Sequence, residues 1–138
     1  MPLDIDNLEH VLENDNHTIM NTTYGNIKKD KNDILQKLNL KREKLKELHE
    51  KLKEYRYIDE LSDIVIGNYC RWIDLNDNNL ELKKGGFLSC INISDNGPYV
   101  CIKTFNKCLS IKVNEVILFQ KFNNQEKVLI QVMKYIEK

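Results

Sequence analysis

Between residues 69 and 119 the chain reads as four alternating runs: YCRWIDL (69–75), FLSCINI (87–93), YVCIKTF (99–105) and LSIKVNEVILF (109–119). The breaks between them are NDNN with KKGG, then SDNGP, then NK. Short runs of period two, cut by polar or glycine-bearing turns every ~8–12 residues, predict an antiparallel sheet or small barrel and not a βαβ unit. The last run is long enough for two strands bent at Asn114, with NEVILFQ as a fifth. Gly85-Gly86 precedes a strand and lacks a following Lys-Ser or Lys-Thr on a helix, so it is not a phosphate-cradling loop. Its expected role is geometric: glycine at the start of a strand lets a neighbouring backbone come close. Asn96-Gly97 reads as a hairpin turn, with Pro98 starting the next strand.

Upstream the period is helical. On a heptad through residues 24–56, Tyr24, Lys31, Leu38, Leu45 and Leu52 fall at a, and Ile27, Ile34, Lys41, Leu48 and Tyr55 at d. Most of these are apolar or aromatic, and no proline or internal glycine interrupts the run after Gly25, which predicts a coiled-coil seam. The alternative is an amphipathic helix packed on the protein's own barrel; the length of the arm favours the coiled coil. The predicted interface is Ile27, Ile34, Leu38, Leu45, Leu48, Leu52 and Tyr55. Its flanks are basic, with Lys37, Lys44 and Lys51 at g and Arg42, His49 and Arg56 at e. Like charges facing across a seam disfavour simple self-pairing and favour an acidic partner, either the chain's own LDIDNLEHVLEND (3–15) or another protein.

The remaining segments complete an α+β organisation. Residues 1–25 read as a flexible or short amphipathic acidic segment, 26–57 as the coiled-coil helix, 58–122 as the small antiparallel barrel and 123–138 as a C-terminal helix. That last helix starts with Asn123-x-x-Glu126, a capping box, and carries Leu129, Val132, Met133 and Ile136 on one face.

Function is constrained mainly by exclusion. Lys plus Arg and Asp plus Glu balance at 21 each, so no whole-chain field selects nucleic acid or a membrane. No basic-then-apolar leader opens the chain, and its apolar runs fall short of the ~20 residues of a membrane span, so a protein that is neither secreted nor membrane-bound is expected. Cys70, Cys90, Cys101 and Cys108 show no CxxC spacing, which predicts small buried thiols, not a metal site or disulfides. His10, His17 and His49 precede the barrel, and the barrel carboxylates sit in turns, so no catalytic constellation, metal or cofactor is expected. The strongest binding candidate is an aromatic and basic surface of Tyr69, Arg71, Trp72, Phe87, Lys84 and Lys103, with Tyr99, Phe105 and Lys107 near it. Such rings can stack single-stranded bases or cage a methylated lysine; core packing is the competing use.

The blocks Gly67-Asn68-Tyr69-x-Arg71-Trp72, Gly85-Gly86-x-Leu88, Leu109-Ser110-Ile111-Lys112 and Phe119-x-Lys121 resemble a small barrel in proteins of giant nucleocytoplasmic DNA viruses of the mimivirus type. Leu109 stands where that pattern has tryptophan. The resemblance spans residues 58–122 and implies a Tudor- or SH3-like barrel and a viral origin, in the virion or the host-cell cytoplasm, and it brings no catalytic residues. The expectation is a non-enzymatic interaction protein, a virion or assembly component that self-associates or joins a partner through the coiled coil. A nucleic-acid-binding barrel and a methyl-lysine reader are the alternatives.

Overall fold

The computed structural model describes residues 24–136. Helix α1 (Tyr24–Gln36) and helix α2 (Arg42–Lys51) precede strand β1 (Tyr55–Ile58). Strands β2 (Tyr69–Asp74), β3 (Gly86–Ser94), β4 (Gly97–Lys103), β5 (Cys108–Lys112) and β6 (Val116–Lys121) follow, and helix α3 (Asn124–Ile136) closes the described chain. Of the acidic segment expected before the coiled coil, residues 1–23 lie outside the described residues, while Tyr24 and Gly25 begin α1.

The long coiled-coil helix is not formed. α1 ends at Gln36, the next turn tightens through Leu38 N–H to Leu35 O and Asn39 N–H to Gln36 O, and Asn39 takes a φ of 53°. Asparagine tolerates this left-handed backbone better than most residues, so the helical pattern carries a stop that the leucine spacing conceals. Both short helices lie on the sheet. Leu35, Leu48, Leu52 and Tyr55 pack with Ile73, Ile117 and Phe119, and Ile34, Leu38 and Leu45 flank that cluster. Ile27 packs instead with Phe122, Leu129 and Ile130 of the α3 region. Tyr55 is a strand residue. Each fully buried leucine contributes roughly 1.5–3 kcal/mol, and here that stabilisation goes to the intramolecular core. The seven residues expected at a partner interface are interior or core-flanking.

The sheet is antiparallel and open, in the order β1-β6-β2-β3-β4-β5. The expected closed barrel is therefore corrected to an open sheet with β1 and β5 at its edges. It curls enough that Ile58 of β1, Trp72 of β2, and Val100 and Ile102 of β4 share one cluster. The long fourth run divides as its length suggested, with a 3₁₀ turn at Val113–Glu115 between β5 and β6. β6 is buried on both faces because Leu118 meets the inner cluster while Ile117 and Phe119 meet the helices. β1 was hidden inside the heptad pattern.

The helices cover only the β1-β6-β2 half of the outer face. Over β3, β4 and β5, the same face is left open, and along it lie Phe87, Tyr99, Cys101, Lys103 and Cys108. A bulge between Leu88 and Cys90 sets Cys90 opposite Cys101 on this face.

Candidate functional site

The open face begins where β2 meets β3. Tyr69 pairs with Phe87 in the ladder, and their rings stand edge to face with centroids 5.2 Å apart. The Tyr69 hydroxyl donates to Lys84 O at 2.8 Å. Phe87 lies opposite Lys103 on β4. The glycine pair makes this packing available. A Cβ on Gly85, whose φ is 92°, would sit 2.0 Å from Cys70 O, and one on Gly86 would sit 2.5 Å from Lys103 O. Any side chain there would push the strands apart, so the geometric role expected of KKGG is the one the backbone shows.

Beyond β4, Thr104 turns the chain by donating its N–H and hydroxyl to Lys107 O at 2.8 and 3.1 Å. That turn lifts Phe105 to 99 % exposure. Phe87 is itself 57 % exposed and forms a ridge between two shallow grooves. One groove, of about 400 Å³, runs past Tyr69, Gly86, Lys103 and Phe105. The other, of about 200 Å³, runs past Gly67, Asn68, Lys121 and Phe122. Among the described residues, neither groove has a carboxylate in its lining, and each has a lysine.

Three of the six expected surface residues, Tyr69, Phe87 and Lys103, therefore line one groove. Lys84 is tethered beside it through its carbonyl. Arg71 lies underneath: its Nε donates to Lys83 O at 2.8 Å, which fixes the backbone that carries Lys83 and Lys84. Trp72 is not on this surface. It is 7 % exposed in the inner cluster with Cys70 and Leu118. Period two already separates it from Tyr69 and Arg71, which share the other face of β2. Lys121 and Phe122 carry no such signal in the sequence, because they come to line this groove only through the pairing of β6 with β2, Phe122 as a buried wall.

The thiols are not uniformly buried as expected. Cys70 is in the core, Cys90 and Cys101 are half-buried, and Cys108 is exposed. Burial pushes the Cys70 thiol up to about 12, against a smaller opposing effect of the Gln120 amide. Hydrogen bonding with Cys90, then desolvation and the Cys108 thiol, push Cys101 up to about 11. Asn92 Nδ2 lies 3.5 Å from Cys101 Sγ and 3.9 Å from Cys90 Sγ. Among the described residues, no three His, Cys, Asp or Glu side chains are grouped to hold a metal, and no helix is long and apolar enough to cross a membrane.

No protein-family model, curated protein or solved structure is similar to this chain. The giant-virus resemblance of residues 58–122 rests on its motif residues alone.

Proposed function

We propose that this chain is a non-catalytic binding protein whose open sheet face receives single-stranded nucleic acid. The observation that carries the reading is the pair of exposed phenyl rings, Phe87 and Phe105, standing over grooves lined by lysine and, among the described residues, by no carboxylate. Exposed rings on a sheet are poor value for stability, since they leave apolar area in water, but every base has a π-face that stacks on them. Lys103, Lys121 and the nearby Lys84 and Lys107 are placed to meet phosphates. A methyl-lysine reader fits the groove less well, because a cationic ligand would meet a lysine of its own sign, and two of the three rings, Tyr69 and Phe87, are packed against each other. With the heptad leucines occupied in the core, assembly through a coiled coil is no longer available as the mode of action.

Filter binding of oligothymidine at two ionic strengths tests the reading. Affinity should fall with salt, with a log–log slope of about −0.7 per phosphate contacted. Phe87→Ser and Phe105→Ser should each cost about 1–3 kcal/mol of binding, the worth of one stacked base, while the fold is unchanged. No binding of single-stranded DNA or RNA at low salt, or binding indifferent to both substitutions, would refute it.

A further inference from the structure

The groove at Phe87 has neighbours on the helical side of the sheet. Its far end is formed by Lys121 and Phe122, and Phe122 is also part of a second groove of about 260 Å³ with Lys53, Lys127, Lys134 and Tyr24. Tyr24 and Lys53 in turn belong to a third groove of about 680 Å³ between α1 and α2, walled by Lys28, Lys29 and His49. Phe122 and the Lys121–Glu54–Lys127 bridge thus set the aromatic ridge beside the helical side of the molecule. Among the described residues, Glu54 is the only carboxylate lining this helical stretch, and it is held between Lys121 at 3.9 Å and Lys127 at 3.7 Å.

The lysines here are gathered against their mutual repulsion. Lys28 Nζ and Lys134 Nζ, from α1 and α3, both sit over the Tyr24 ring, 5.4 and 4.6 Å from its centroid. Lys31 is buried just behind, 8 % exposed, with Nζ donating to Leu52 O at 2.9 Å and Tyr55 O at 3.0 Å. Burial first, then Lys28, holds the Lys31 ammonium below its ordinary pKa; burial and Lys31 do the same to His49. A concentration of one sign of charge in a groove is relieved by a polyanion and by little else on this surface.

Resting on the single-strand reading above, we propose that the strand's path is continuous from the Phe105–Phe87 ridge, over Lys121, into the lysine groove at Tyr24. Bases stack at the sheet end, and the sugar-phosphate backbone alone is held at the helical end. Lys28, Lys53 and Lys134 are the residues that extend the path; Lys31 contributes field without contact, because its ammonium is committed to the two carbonyls.

Oligothymidines of about 4 and about 16 nucleotides, spanning the range of single-strand site sizes, separate the two ends in an anisotropy titration on the full chain. The exposed lysines are replaced together as Lys28→Gln, Lys53→Gln and Lys134→Gln, with the circular dichroism spectrum as folding control. The long oligonucleotide should lose about 100-fold in affinity at 0.1 M salt, and its log–log salt slope should become shallower by about 2, from about 0.7 per contact. The short one should bind as before, and Phe87→Ser should weaken both. An unchanged long oligonucleotide would overturn the extended path and leave the sheet site standing. Failure of either oligonucleotide to bind the unaltered chain would remove both proposals. Poly-glutamate binding as tightly, with the same lysine dependence and no Phe87 dependence, would assign the groove to acidic protein and overturn the nucleic-acid path.

Discussion

Replacing Glu126 with alanine tests how α3, which carries Lys127 and Lys134, is fixed to the sheet. Glu126 is 2 % exposed in the first turn of the helix. Its Oε1 accepts from Asn123 N–H at 3.1 Å and from Asn68 Nδ2 at 2.8 Å, and its own N–H donates to Asn123 Oδ1 at 2.8 Å. The reciprocal cap and the bridge to Asn68, just ahead of β2, thus meet at one oxygen. Glu126→Ala takes the acceptor from two part-buried donors, Asn123 N–H, which is one arm of the cap, and Asn68 Nδ2, at about 1–2 kcal/mol each. The expected loss is about 2–4 kcal/mol, or roughly 8–15 °C in Tm for a chain of this size. Glu126→Gln keeps an oxygen at Oε1 and should cost about 1 kcal/mol or less. Urea titrations followed by circular dichroism read both values. The Asn123→Ala and Glu126→Ala costs should be less than additive, by at least about 0.5 kcal/mol, because each removes part of the same network. A Glu126→Ala cost under about 0.5 kcal/mol, or a glutamine variant as unstable as the alanine one, would refute the hydrogen-bond account.

Two further predictions follow from the backbone and the core. Gly85→Ala and Gly67→Ala both place a side chain at positive φ, 92° and 98°, but only Gly85 has a backbone oxygen in the way. Gly67→Ala should cost about 1–2 kcal/mol and Gly85→Ala clearly more, in the same denaturation assay; equal costs would refute the close approach of β2. The Cys70 thiol, raised to about 12 by burial, stays protonated in the fold while the unfolded thiol ionises near its ordinary value of 9.0. Its contribution is complete below pH 9 and is lost as pH rises towards 12, so the stability of the native chain relative to Cys70→Ala should shrink over that interval. Alkylation mapped by mass spectrometry at pH 9 should label Cys108 before Cys70, and the reverse order would contradict their burial.

The strand content was legible because alternation and turn residues are local properties. YCRWIDL, FLSCINI and YVCIKTF became β2, β3 and β4 with small shifts, the bend near Asn114 is a 3₁₀ turn, and Asn123-x-x-Glu126 forms its cap. The glycine pair was readable as geometry for the same reason. The fate of the helical arm was not legible, because a leucine spacing of three and four is satisfied equally by a partner helix and by the chain's own sheet. A single left-handed Asn39 turned the segment back on itself.

By itself, the sequence determined which residues alternate, where the chain turns and which faces are apolar, since these depend on neighbours a few positions away. What covers each face was decided only by tertiary structure. Two short helices fill one half of the outer sheet and leave Phe87 bare on the other, and a strand from the end of the chain brings Lys121 and Phe122 beside Tyr69. Trp72 went inward and Phe87 stayed bare for that reason: burial is set by contacts between segments far apart in sequence, which no local period encodes.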